Sequence, residues 1–285
     1  MYICINGQLV KKEEAVISPF DHGFLYGIGL FETFRVYEGH PFLLDDHIRR
    51  LNESLQTLGI AKTFIRDEVN DWLQRLLIKN NISNANVRLN VSAGIGEVGD
   101  LTSPYLEPNV IMFMKPLPKA GVMVEKRAVL LELNRNTPEG EWRLKSHHYM
   151  NNILAKKEIG SDPNVEGIFL TKDGFLAEGV VSNLFWIKEN TLYTPSLQTG
   201  ILNGITRQFI IKLAERNSIT VEEGFFKPNV LEEAEEVFVT NSIQEIVPIS
   251  TFEDVDFPGN KGKWVQEFHK QYRYYTQQIW TRTEV

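Results

Sequence analysis

The stretch from Val165 to Pro195, VEGIFLTKDGFLAEGVVSNLFWIKENTLYTP, constrains the fold more than any other. Its apolar and β-branched runs are broken at Lys172-Asp173-Gly174 and Glu189-Asn190, so it reads as strands joined by tight turns. The next apolar segment, ITRQFIIKLAERN, has helical spacing, and EEVFVTNS is again a strand, running into a polar turn. A sheet interrupted by a helix must bury the apolar side of both. The chain is therefore expected to be α/β (α+β in its mixture of strand directions) rather than all-helical or all-strand.

Upstream, YICING and QLV flank Asn6-Gly7 as a hairpin would. In DDHIRRLNESLQTLGI, Ile48, Leu51, Leu55 and Leu58 recur at helical spacing, with Asp45 as the expected cap and Gly59 as the expected stop. A second helix is expected from near Thr63, with Val69, Trp72, Leu73, Leu76 and Leu77 as its apolar stripe. NVRLNVSA alternates as a half-buried strand, and NVIMFM reads as a fully apolar one. HHYMNNILAKKEIG looks helical, and Trp264, Phe268, Tyr272 and Tyr275 mark a packing helix near the C-terminus. Two prolines, a glycine and two lysines in KPLPKAG (115–121) mark a boundary. It separates a smaller N-terminal domain, 1–118, from a larger C-terminal one, 119–285.

The formal charge of −7 gives no general attraction to phosphate backbones, and no basic patch stands out, so nucleic acid is not an expected partner. No apolar run approaches the roughly 18–20 residues of a membrane span, and MYICINGQLVKKEEA is too polar for a secretion signal. A single cysteine, Cys4, can form neither an internal disulfide nor a structural zinc site. These features fit a cytoplasmic protein acting on small molecules. Adjacent His147 and His148, if helical, would point about 100° apart, and no third ligand lies at useful spacing, so no metal is expected.

Three elements could carry chemistry. Lys145, in EWRLKSHHYMNN, is expected just ahead of a helix, where the dipole would favour a nucleophilic neutral amine. Glu178 sits among apolar residues in a strand. Gly204 precedes an amphipathic helix, leaving the backbone N–H groups of Ile205 and Thr206 and the Thr206 hydroxyl as an anion site. Arg50, Asn241 and Ser242 could complete it. Each alone is equally compatible with a solvated surface charge or an ordinary helix start. Together, a lysine, a carboxylate and a phosphate-sized anion site are what pyridoxal phosphate requires.

The whole chain resembles the class IV aminotransferases, the fold type IV group of pyridoxal-phosphate enzymes that includes the D-amino-acid aminotransferases. The most specific stretch is EGVVSNLFWIKENTLYTPSLQTGILNGITR, followed by VFVTNSIQEIVP; Val180 stands where the family has a smaller residue. RLKSHHYMNN resembles the lysine motif and FLYGIGLFETFRVYEG the N-terminal active-site strand. The resemblance implies two α/β domains, the larger binding pyridoxal phosphate, usually in a homodimer. It implies Lys145 as the covalent and proton-shuttling lysine, and Glu178 as partner of the ring nitrogen. Arg50, Ile205, Thr206, Asn241 and Ser242 would surround the phosphate, and Tyr149 would meet the ring hydroxyl.

Within the family, D-amino-acid enzymes carry an Arg-x-His carboxylate trap after the strand matching NVRLNVSA, and a tyrosine in place of Phe31. SAGIGEVGD has neither Arg nor His. Branched-chain enzymes show Phe-Glu-Gly-Ile-Arg where this chain has Phe31-Glu32-Thr33-Phe34-Arg35. SPFDHGFLYGIGLFETFR, RNTPEGEWRLKSHHYMNN and NVEGIFLT look most like the folate-pathway lyases, which convert 4-amino-4-deoxychorismate to p-aminobenzoate and pyruvate. A substrate with two carboxylates needs cations, and Arg35 and Arg88 are the candidates, with Tyr26 and Phe31 beside them; Arg88 is equally readable as a solvated strand residue. The alternative is a branched-chain or D-amino-acid aminotransferase; a non-catalytic cofactor-binding protein is disfavoured by the retention of Lys145 and Glu178 together.

Overall fold

The computed structural model describes residues 1–100 and 102–285. They form two compact units that are not two continuous stretches of chain: residues 1–120, 144–148 and 276–284 make the first, and residues 121–143 and 149–275, with Val285, the second.

The first unit is a six-stranded antiparallel sheet. Its strands are β1 (Tyr2–Ile5), β2 (Gln8–Lys11), β3 (Gly29–Tyr37), β4 (His40–Pro41), β5 (Ala85–Ser92) and β6 (Asn109–Pro116), in the order β2-β1-β6-β5-β3-β4. Asn6 and Gly7 both have positive φ, as the two-residue turn between β1 and β2 requires. A short helix, α1 (His22–Leu25), precedes β3, and α2 (Leu44–Thr57) and α3 (Arg66–Asn80) follow it. Ile48, Leu51 and Leu55 of α2 and Val69, Leu73, Leu76 and Leu77 of α3 pack in one core with Leu30, Phe34, Val36, Val87, Leu89 and Val91 of β3 and β5.

Side chains alternate along a strand, so the opposite face of β3 and β5 carries Phe31, Thr33, Arg35, Arg88 and Asn90. Cross-strand pairs are Phe31 with Asn90 and Thr33 with Arg88. The expected all-apolar strand is β6, where burial alternates and Phe113 is exposed. One face of β6 packs, so NVIMFM is a half-buried strand after all. Asp45 does not cap α2: the cap is Leu43 in left-handed backbone, and Asp45 in the first turn accepts from Arg66 Nε at 2.7 Å.

The second unit is a nine-stranded mixed sheet. It contains β7 (Lys126–Leu130), β8 (Val165–Leu170), β9 (Leu176–Gly179), β10 (Asn183–Lys188), β11 (Thr191–Pro195), β12 (Thr220–Gly224), β13 (Glu236–Asn241), β14 (Glu245–Phe252) and β15 (Val255–Asp256). The order is β12-β11-β10-β13-β14-β7-β8-β9, with β15 on β14, and β9 pairs back onto β10 at Glu178 and Asn183. The sheet thus closes on itself, and Glu178 stands at the closure. Helices α4 (Met150–Ile159), α5 (Ile205–Arg216) and α6 (Lys263–Tyr275) pack on it, with Phe209 of α5 edge-on to Tyr272 and Tyr275 of α6. Among the described residues no helix is long and apolar enough to cross a membrane.

Candidate functional site

In the first unit, Lys145 does not lie at a helix start. Helix α4 begins at Met150, five positions on, and His147 and His148 precede it, so neither histidine is helical. Residues 145–147 instead pair with the start of β3: Phe31 N donates to Lys145 O at 2.9 Å, His147 N donates to Gly29 O at 3.0 Å, and Leu30 bridges Ser146. This pairing, rather than a dipole, fixes the lysine backbone.

Lys145 Nζ lies 4.5 Å from the centroid of the buried Phe31 ring, and the Arg88 guanidinium carbon lies 3.6 Å from the same centroid. Both are within cation–π range. His147 stacks on Phe31 at 6.4 Å between centroids, and its Nε2 lies 3.0 Å from Asn90 Oδ1. Burial, then the charge of Arg88, pulls the His147 pKa down to about 4, so the imidazole is neutral near pH 7. One face of β3 and β5 therefore gathers Lys145, Phe31, Arg88, Asn90 and His147.

Arg50 belongs to the helix-covered face. Its Nε and Nη2 donate to Glu32 Oε1 and Oε2 at 2.7 and 2.6 Å, and His47 Nδ1 meets Oε2 at 2.6 Å. Burial pushes the Glu32 carboxyl up, but the charges and hydrogen bonds of Arg50 and His47 outweigh it and hold the group at about 2. Sequence reasoning did not select Glu32; the signal was a carboxylate inside the otherwise apolar run GLFETF. Arg35, buried, donates from Nη2 to Pro118 O at 3.1 Å and lies over Tyr37. The Tyr26 hydroxyl accepts from Gly99 N at 2.8 Å, which ties it to the loop after β5.

In the second unit, Glu178 is buried, not an edge charge in water. Oε1 accepts from Arg135 Nε at 2.8 Å, and Oε2 accepts from Leu202 N at 3.1 Å and Asn183 Nδ2 at 3.3 Å. Arg143 Nε lies 3.9 Å from Oε1. Burial, then repulsion from Arg135, lowers the Arg143 pKa to about 10. Arg135 and Arg143 were not selected from sequence; both lie in the lysine-bearing run RNTPEGEWRLK, an irregular segment without periodicity to mark them. Arg135 is anchored by Asn151 of α4, whose Oδ1 accepts from Nη1 at 2.7 Å.

The α5 N-terminus follows Gly204 and has no side-chain cap, so the N–H groups of Ile205 and Thr206 lack an internal acceptor from that source. Thr206 Oγ1 lies 3.4 Å from Ser242 Oγ. Two hydroxyls beside an uncapped helix start are the kind of donors that an anion needs. Asn241 is spent on its own turn, its Oδ1 accepting from Ile243 N and Gln244 N at 3.0 and 2.8 Å. Tyr149 is the residue before α4, and its carbonyl accepts from Ile153 N at 3.0 Å.

Each unit by itself carries groups of the kinds pyridoxal phosphate requires: the first an amine over an aromatic ring, the second a buried carboxylate and a helix start beside two hydroxyls. Over 92% of its length the chain is 49% identical to aminodeoxychorismate lyase of Bacillus subtilis (strain 168), covering 90% of that protein. It is 30% identical to D-alanine aminotransferase of Listeria monocytogenes serotype 1/2a (strain 10403S), over 98% of this chain and 96% of that one. The branched-chain amino acid aminotransferase of Escherichia coli superposes with a TM-score of 0.84 at 27% identity, covering 96% of this chain and 93% of that chain. The family model for amino-transferase class IV matches residues 29–252, from the first residue of β3 to the last of β14, and the chain belongs to that family.

Proposed function

We propose that the chain is a pyridoxal-phosphate-dependent lyase that converts 4-amino-4-deoxychorismate to p-aminobenzoate and pyruvate. The observation that carries the choice of reaction is the 49% identity over 92% of the chain to the Bacillus subtilis lyase. Arg88 on the same ring as Lys145 supports it, because the substrate carries two carboxylates. When bound, the cofactor withdraws electrons from the carbon that bears the substrate nitrogen, which makes the proton there removable.

Lys145 would hold the cofactor, and its free amine would take the ring proton beside the substrate nitrogen. Loss of that proton and of the enolpyruvyl group from the neighbouring carbon makes the ring aromatic. The released group gains a proton and leaves as pyruvate, so the two products together contain every atom of the substrate. Glu178, held by Arg135, pairs with the cofactor ring nitrogen. Ile205, Thr206 and Ser242 bind the phosphate, with Arg50 and the Asn241 backbone completing it, and Tyr149 meets the ring hydroxyl. Arg88 takes one substrate carboxylate and Arg35 the other, with Tyr26 and Phe31 as walls.

The protein is read as a cytoplasmic homodimer. Phe20, Phe24, Ile95, Val98 and Leu106 of the first unit are each more than half exposed, and Gly96 N donating to Phe20 O joins the segment of Phe20 and Phe24 to that of Ile95 and Val98. Such an apolar surface suits a second copy of the chain. Branched-chain or D-amino-acid transamination is the second reading, favoured by the E. coli and Listeria likenesses. Borohydride reduction of the cofactor-loaded protein followed by peptide mapping tests the core of the proposal. Label is expected on Lys145, with p-aminobenzoate and pyruvate as products of deoxychorismate; label on another lysine overturns the site.

A further inference from the structure

We propose that Asn90 and His147 act as a positioning pair for Arg88, holding its guanidinium over Phe31 beside Lys145 so that it presents to a substrate carboxylate. This rests on the reading of Arg88 as a carboxylate ligand. Asn90 Oδ1 accepts from Arg88 Nε at 3.2 Å and from Nη2 at 3.0 Å, and His147 Nε2 lies 3.0 Å from the same oxygen. Arg88 and Asn90 are two positions apart on β5, so both side chains stand on one face, and Asn90 pairs directly with Phe31.

The hydrogen-bond inventory fixes the remaining proton. Two guanidinium N–H groups can meet only the amide oxygen, not the amide NH2, so the Asn90 orientation is set. His147 must then donate from Nε2 to that oxygen. A neutral imidazole serves, and neutrality agrees with the low pKa of His147 and avoids a third cation on the Phe31 ring.

His147 is itself held. Its N–H is on Gly29 O, and its ring rests on the Gly29 backbone, where an added Cβ would come within 2.2 Å of His147 Cε1. Residues 145–147 pair with Gly29–Phe31, so the strand pairing that places the reactive amine also places His147 and, through Asn90, the arginine. Arginine carries a large rotamer entropy, and a guanidinium clamped before substrate arrives loses less of it on binding.

The test is a double-mutant cycle on the cofactor-loaded enzyme. KM and kcat are measured with deoxychorismate, and Kd with chorismate, which has the same two carboxylates and a hydroxyl in place of the amine. Arg88→Ala is expected to raise KM and Kd about 10- to 100-fold. His147→Phe, which keeps the stacked ring, and Asn90→Leu should each raise them about 3- to 10-fold, with kcat changing much less. His147→Gln, which keeps a side-chain N–H, should recover most of the loss. Arg88→Ala combined with His147→Phe or with Asn90→Leu should bind no worse than Arg88→Ala alone.

Unchanged KM and Kd in Arg88→Ala overturn the carboxylate reading itself. A large Arg88 effect with full additivity in the double mutants, or with no effect from either partner, overturns the positioning pair and leaves Arg88 standing. A fall in kcat with KM intact would assign His147 to Lys145 instead and also overturn it. If His147→Phe does not fold, the Asn90→Leu cycle decides by the same criteria.

Discussion

At the scale of single residues, the burial of charge discriminates between roles. Lys145→Ala should abolish turnover, because among the described residues no other amine is seen over the Phe31 ring; near-normal kcat in that variant would move the reaction elsewhere. Glu178 takes three N–H donors in a buried setting, so Glu178→Gln should lower kcat by at least about 100-fold while cofactor still binds. An equal rate by steady-state assay would remove Glu178 from the site. Several buried groups give the fold a pH signature: Glu32 at the acid end, and above it His147, His47 and His269, each depressed chiefly by burial. Glu32 is held at about 2, below its ordinary 4.5, so its contribution is complete above 4.5 and is lost as pH falls toward 2. His147 is a base held down to about 4, so the unfolded chain binds its proton first and stability falls between 6.5 and 4. Thermal melts should therefore decline already between pH 6.5 and 4, and His147→Gln should make that part shallower while leaving the loss below 4.5. A variant profile identical to wild type would show that His147 is not responsible.

At the scale of elements, a C-terminal clasp fixes α2. Asp46, buried, accepts from Arg282 N at 2.7 Å, from the Arg282 guanidinium and from Arg49, while Asp45 N donates to Trp280 O at 3.0 Å. The Trp280 ring meets His40 edge-on and lies under Arg66. Asp46→Ala leaves these donors unmatched and should cost about 1–3 kcal/mol, a melting-point drop of several degrees by calorimetry; an unchanged melting point would mean the clasp is loose in solution. The clasp was not legible in the sequence, because its partners lie more than 230 positions apart and no periodicity links them. Periodic elements were legible: the Asn6-Gly7 hairpin, α2, α5 and the alternation of β5 follow from local patterns that burial then enforces. The failures were also local. Asp45 has the chemistry of a cap, yet Leu43 takes the cap position and Arg66 takes Asp45, and NVIMFM carries apolar residues on both faces although only one of them packs. Among the candidate residues, Lys145 and Glu178 stood out because each sits in a distinctive motif. Arg135, Arg143, Asn90 and Glu32 did not, since their roles depend on contacts between segments 18 to 57 residues distant in sequence.

At the scale of the whole molecule, lyase and transaminase differ in how the cofactor is returned, and that difference is measurable without altering a residue. In a transaminase the amino group stays on the cofactor when the first product leaves, so turnover stops after one cycle unless a 2-oxoacid removes it. In a lyase reaction of this kind the nitrogen leaves on the aromatic product, so no second substrate is needed to remove it. The proposed lyase reading fits the surroundings of Phe31: the Arg88 guanidinium and the Lys145 amine lie over the same ring, and the loop after β5 offers Ile95, Glu97 and Val98 with no Arg-x-His pair. Aromatisation of the product ring also makes the overall step strongly downhill, so no coupled acceptor is required to draw it forward. The expected result is many turnovers per enzyme, giving p-aminobenzoate and pyruvate in equal amounts with no 2-oxoacid added, and slow or absent reaction of branched-chain or D-amino acids with 2-oxoglutarate. Arg88→Ala should weaken the first reaction through KM while leaving any residual transamination of monocarboxylate amino acids less affected, because the dianionic substrate depends more on a second cation. Rapid 2-oxoglutarate-dependent transamination, with no p-aminobenzoate formed from deoxychorismate, would overturn the lyase reading and make this chain an aminotransferase in activity as well as in family.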